Sequence, residues 1–275
     1  MRWICFTLAI IVFICMDQEQ AFSKSSNDPL SLKIDTELEL AKVENEYEYQ
    51  LVTQASTETK AKMYEQSSLT LVFENSHLSF FLEAWEPDTD KLKKLKTTTH
   101  EGSRRFDAWT KHQLKTKNLE RATAISSAQL YTTNSPHTNI HAFTQPKNDR
   151  ERKGRYVLDH VFQQQLLHEA KQLRLAFDIP KDIPAISWNH LNEWMESGPK
   201  QLSDREAKQV VTTSWHMYRD HILEGVKRED GTLTTPIGSS MPIIVLDEED
   251  LHLLLMLEDG TPYKLTHPWS FEGAA

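Results

Sequence analysis

The chain has 275 residues, 39% hydrophobic and 26% charged, with 8 Gly and 11 Pro, which excludes collagen-like, low-complexity and wholly disordered classes. Lys and Arg total 31 against 40 Asp and Glu, a formal charge of −9 that disfavours nucleic acid as the partner.

The chain opens on an address. Arg2 precedes an apolar run from Trp3 to Met16, followed at once by the polar residues Asp17 to Gln20. A membrane-spanning helix needs about 20 apolar residues, so this shorter run reads as a secretory signal peptide over residues 1–23. Ala21 and Ser23 place small residues three and one before a cut at Lys24; a cut after Ala21 and an uncleaved anchor are the alternatives. Cys5 and Cys15 are the two cysteines of the chain, and both leave with this segment. The mature chain is then expected to lack disulfides, zinc–thiolate sites and a cysteine nucleophile. Either it is large enough to need no staples, or it also works in a reducing compartment. Cleavage removes Arg2, Asp17 and Glu19, leaving 30 basic and 38 acidic residues, a net −8.

Residues 24–29 form a polar leader, and residues 30–267 are expected to make one globular domain. From Leu30, apolar residues alternate with polar ones through Leu40, as in a half-buried strand, with a Leu/Glu-rich helix running to Gln50 as the rival. Tyr47, Tyr49 and Leu51 suggest a second strand. Leu69, Leu71, Phe73 and Leu78, Phe80, Leu82 flank Glu74-Asn75-Ser76-His77, the pattern of a hairpin. Residues 86–102 are a candidate sub-boundary, in which the lysines of KLKKLK (Lys91 to Lys96) read as a solvated connector.

Phe106, Trp109, Leu114, Leu119 and Ile125 suggest a helix within residues 103–130, and the two prolines of 132–149 suggest a long loop. The stripe Val157, Leu158, Val161, Phe162, Leu166, Leu173, Phe177 predicts a helix from Arg150 to Phe177. A short helix capped by Ser187 carries Trp188, His190 and Trp194. Ser203 and Glu206 have capping-box spacing ahead of a helix reaching Gly225. Strands follow at Ile243 to Leu246, Leu251 to Leu257 and Tyr263 to Leu265, and residues 268–275 form a tail in which Trp269 and Phe271 dock. The order predicts an α+β fold: antiparallel strands from the N-terminal third and C-terminal fifth, packed with a central set of amphipathic helices.

No phosphate loop, nucleophile elbow or His-Glu-x-x-His motif is present. His216 and Asp220, four apart on a helix with His221 nearby, have spacing for a metal or a surface pair. His160 and His168 lie about 12 Å apart along one helix, too far to share an ion. Asp247-Glu248-Glu249-Asp250 reads as a charged turn rather than a calcium loop. Lys227-Arg228 has the form of a dibasic processing site or an exposed helix end. No catalytic, cofactor-binding or metal residue is therefore assigned, and no cofactor is implied.

The expectation is a secreted, non-catalytic interaction protein that binds a protein partner, as a microbial effector acting on a host or neighbouring cell does. It is not expected to bind nucleic acid, or membrane once the signal is gone. The alternative is a secreted hydrolase whose His/Asp/Glu site assembles from distant positions, with His216 and Asp220 first to be tested. A carrier holding an apolar ligand between sheet and helices is a third.

Overall fold

The structure, a computed structural model, describes residues 32–135, 138–191, 203–228, 231–247 and 249–269. The signal peptide, the polar leader, Trp194, Glu248 and Phe271 lie outside the described residues. Six strands lead: β1 (Leu32–Val43), β2 (Glu48–Glu74), β3 (His77–Glu101), β4 (Arg104–Lys115), β5 (Arg121–Ser135) and β6 (Thr138–Phe143). All pair antiparallel in the order β1-β2-β4-β5-β6, with β3 also on β2. The first half of β2 holds β1 from Val43↔Tyr49 to Leu32↔Thr59, and its second half holds β4 from Glu65↔Lys115 to Glu74↔Phe106. β3 runs beside both halves, its register broken between Glu58 and Met63. β1 lies against β5, and the sheet is nearly closed like a barrel.

This corrects the α+β expectation. The chain is mostly β, 55% strand and 23% helix, with two α-helices among the described residues where a central set was expected. The predicted helix within 103–130 is instead β4 and β5. The physical reason is burial on both sides: β4 buries Phe106 and Ala108 inward and Trp109 and Lys111 outward, so no polar–apolar alternation marks it as a strand. The predicted loop at 132–149 contains the end of β5 and all of β6, paired at Tyr131↔Phe143. The proposed sub-boundary at 86–102 lies within β3, so its lysines are strand residues rather than a connector. Within its sheet β3 pairs with β2, its start at His77 also bridging Ser240, and charged side chains along the rest of this edge oppose pairing with another chain.

The barrel interior divides by chemistry. One end is apolar, with Leu38, Tyr49, Leu51, Phe80, Phe106 and Leu130 buried together. The other holds a hydroxyl network around His112: Thr57 Oγ1 lies 2.7 Å from His112 Nδ1, and Ser126 Oγ lies 2.8 Å from Nε2. Thr36 donates to Thr110 at 2.7 Å and also bonds Ser126.

Among the described residues, two α-helices, a four-stranded sheet and a two-stranded one lie outside the barrel. Helix α1 (Asp149–Ala176) matches its predicted span within one residue at each end and is capped by Asn148, whose side chain accepts from the Glu151 amide. Helix α2 (Asp204–Tyr218) starts with the predicted Ser203/Glu206 capping box and widens to a π turn over Arg219–Leu223. β7 (Ala185–Ser187), β10 (Ile243–Leu246), β11 (Asp250–Met256) and β12 (Pro262–Pro268) form an antiparallel sheet in the order β12-β11-β10-β7. Between these layers Leu71 and Phe73 of β2 meet Phe162 of α1, Trp215 of α2 and Leu253 of β11 in one core cluster. Trp188 is fully buried there, its ring 4.9 Å from that of Trp215 and at 68° to it.

Candidate functional site

A cleft of about 310 Å³ opens where α2 crosses the outer face of the barrel. Two cross-strand rows build its floor. Lys111 of β4, Leu69 of β2 and Glu83 of β3 stand in register, and beside them stand Gln113, Ser67 and Trp85. Trp215 and Arg219 form the wall. Trp85 is 59% exposed, whereas Trp215 is buried with its indole N–H lacking an acceptor among the described residues.

Lys111 is the unusual member. It is 4% exposed, and it makes no hydrogen bond or ion pair among the described residues. Burial depresses its amine to about 8, the Arg219 guanidinium pushes the same way, and Asp220 opposes them. Asp220 does not pair with it, because Arg219 Nε already donates to Asp220 Oδ1 at 2.6 Å. Glu83 is two strand spacings away, roughly 10 Å. A buried amine without a carboxylate costs free energy, and such groups concentrate at functional sites. The sequence carries no signal for it, since a lysine in a strand ordinarily reads as solvent-facing.

The residues the sequence nominates are placed as follows. His216 and Asp220 do not bond each other: Asp220 goes to Arg219, and the π turn beginning at Arg219 breaks the i, i+4 stacking. His216 is lowered, first by partial burial and then by Lys111 and Arg219, so it belongs to the cationic surroundings of the cleft. His221 is exposed on the same turn. Asp247, Asp250 and His252 have ligand atoms within 4.8 Å of one another. Their bonds are those of a turn: Asp247 Oδ1 accepts from the amides of Glu249 and Asp250 at 3.0 and 2.7 Å, and Oδ2 lies 2.9 Å from His252 Nε2. Partial burial would raise the Asp247 carboxyl, yet these bonds hold it below the usual range.

His160 stacks on Tyr156, and His168 bonds Gln172 at 2.9 Å. Lys227 lies in β8 (Val226–Lys227), paired with β9 (Leu233–Thr234), and Arg228 is tied to Thr234 at 2.6 Å and Asp259 at 2.5 Å. The dibasic pair thus sits in a small hairpin rather than at a free helix end. Trp188 is core, and His190 ends a 3-10 turn.

The solvent face of α1 is the second notable surface. The expected stripe is split: Phe162, Leu166 and Leu173 are buried, but Val157 and Val161 are exposed. Tyr156, Leu167 and Leu175 join them at 72%, 63% and 70% exposure. Arg150, Lys153 and Lys171 lie exposed on the same side of the helix, with Asp149 the one acid there. The face is therefore apolar and basic on an acidic chain. Among the described residues, no helix is long and apolar enough to cross a membrane.

No protein-family model matches the chain, and no curated protein matches it. Among solved structures, a Northeast Structural Genomics Consortium target, SoR45, is 10% identical with a TM-score of 0.28, over 40% of this chain and 94% of its own. The Arabidopsis thaliana protein AT1g01470 is 9% identical with a TM-score of 0.27, over 50% of this chain and 91% of its own. The Bacteroides uniformis beta-glucuronidase 2 is 12% identical with a TM-score of 0.23, over 42% of this chain and 15% of its own. Likeness this slight assigns neither a fold family nor an activity.

Proposed function

We propose that the mature chain is a secreted, non-catalytic interaction protein that engages a protein partner through the solvent face of α1, as an effector acting on a host or neighbouring cell would. The observation that carries this reading is the five large apolar side chains Tyr156, Val157, Val161, Leu167 and Leu175, all exposed on one helix. Apolar side chains gathered on one exposed face mark interaction surfaces, and aromatic residues strengthen them. The flanking Arg150, Lys153 and Lys171 favour an acidic partner surface. The hydrolase alternative loses its lead pair, because Asp220 serves Arg219 rather than His216.

The test is affinity capture by tagged mature chain, from extracellular fluid and from contacted cells, beside a Val161→Lys/Leu167→Glu variant. The reading expects one partner retained by the parent chain and lost by the variant. Capture that ignores the variant, or polymer turnover abolished by His216→Ala, contradicts it. N-terminal sequencing of secreted material is expected to begin at Lys24.

A further inference from the structure

We propose that the cleft beside Lys111 is a binding site for a small aromatic ligand bearing an oxyanion, a carboxylate or a phosphate, distinct from the α1 face. Two side chains, Lys111 and Arg219, carry this reading. Lys111 is 4% exposed as a residue, lines the cleft and has no carboxylate partner among the described residues, so an incoming anion supplies the counter-charge that the fold omits. Arg219 stands on the wall above it, at the first position of a π turn, a helix distortion frequent at functional sites. Its Nε is held by Asp220, which fixes the guanidinium and leaves the two terminal nitrogens without hydrogen bonds among the described residues.

The remaining walls suit a flat apolar body. Trp85 and Leu69 line the cleft, the indole of Trp85 largely exposed, and Ser67 and Gln113 add polar groups at its floor. A volume of about 310 Å³ lies at the small end of ligand pockets, enough for one ring with its anionic substituent. Glu83 at the far end of the Lys111 row repels a second negative charge, favouring ligands charged at one end.

The site is tested by titrating the purified chain with benzoate, phenyl phosphate and benzyl alcohol, followed by tryptophan fluorescence and calorimetry. The expected result is saturable one-to-one binding of at least one of the two anions and none of the neutral alcohol; which anion binds tighter separates a carboxylate from a phosphate ligand. Lys111→Met should weaken that binding tenfold or more while leaving the thermal midpoint unchanged or higher, because it removes an unpaired buried charge. Arg219→Gln, on a side chain 43% exposed, serves as the second variant should Lys111→Met misfold, and should weaken binding severalfold. Equal binding of benzyl alcohol, undiminished binding by both variants, or no saturation by either anion at millimolar concentration overturns the proposal. None of these outcomes bears on partner capture through α1.

Discussion

Arg105 Nη1 on β4 lies 2.9 Å from Asp159 Oδ1 on α1, fastening the long helix to the barrel through a buried guanidinium. The same guanidinium pairs with Asp107 through Nε at 2.8 Å and Nη2 at 3.0 Å, and stacks 3.7 Å from the Phe162 ring centre. Tyr131 donates to Asp159 at 2.7 Å and Gln129 to Asp107 at 2.8 Å. Arg105→Ala leaves the buried Asp107 without its cation and should cost about 3–5 kcal/mol. Asp159→Asn, at a partly exposed position, should cost about 1 kcal/mol. Urea unfolding of the two variants checks both values.

This clamp shows why part of the fold was legible in sequence and part was not. The apolar stripe containing Phe162, Leu166 and Leu173 has helical period, and Asn75-Ser76 is a turn between alternating strands; both were readable because local pattern and burial agree. Ser203 and Glu206 announced α2 for the same reason. In β4 they disagree: Arg105, Asp107, Lys111 and His112 are buried polar residues whose partners or cavity come from distant strands and helices. Lys111 gained its interest from the close approach of α2, which no spacing in the sequence encodes. The α1 surface is half visible in sequence, since the stripe implies one core face whereas Val157 and Val161 are exposed.

His112 should make the fold acid-sensitive. Burial pushes its imidazole down to about 4, below the value near 6.5 of an unfolded histidine. Between those values the unfolded chain binds a proton that the folded chain refuses, so stability is full above pH 6.5 and falls toward pH 4 by about 3 kcal/mol. His77 opposes this: its hydrogen bond to Glu169 raises it despite burial, so its contribution is present below pH 6.5 and fades as pH rises through the folded value. The stability difference between the parent and His112→Asn should therefore narrow as pH falls from 6.5 to 4. A difference constant with pH would contradict the burial argument.

Gly154 lets α1 approach β5 closely. A Cβ there would sit 2.7 Å from Thr133 Cγ2. Alanine is better than glycine in a helix by about 1 kcal/mol, but overpacking costs about 1–3 kcal/mol, so Gly154→Ala should destabilise. Adding Thr133→Ser removes the offending methyl and should bring the double variant to or above the parent midpoint in thermal unfolding.

The lysine-rich edge strand should guard against aggregation. Lys93, Lys94 and Lys96 are paired in register with Ser56, Ala55 and Thr53 of β2, and their strand has no further neighbour in the sheet. Replacing all three by threonine should keep the fold but produce concentration-dependent association visible by light scattering. A monodisperse triple variant would show that the edge is protected otherwise.

The central claim concerns the outer face of α1, and photocrosslinking from single positions addresses it most directly. A photoreactive amino acid at 161 or 167 is expected to yield one adduct with a different protein, whereas the same group at Tyr64 on the barrel yields none. Adducts of two copies of this chain, or equal labelling from all three positions, would contradict the assignment of that face to a heterologous partner.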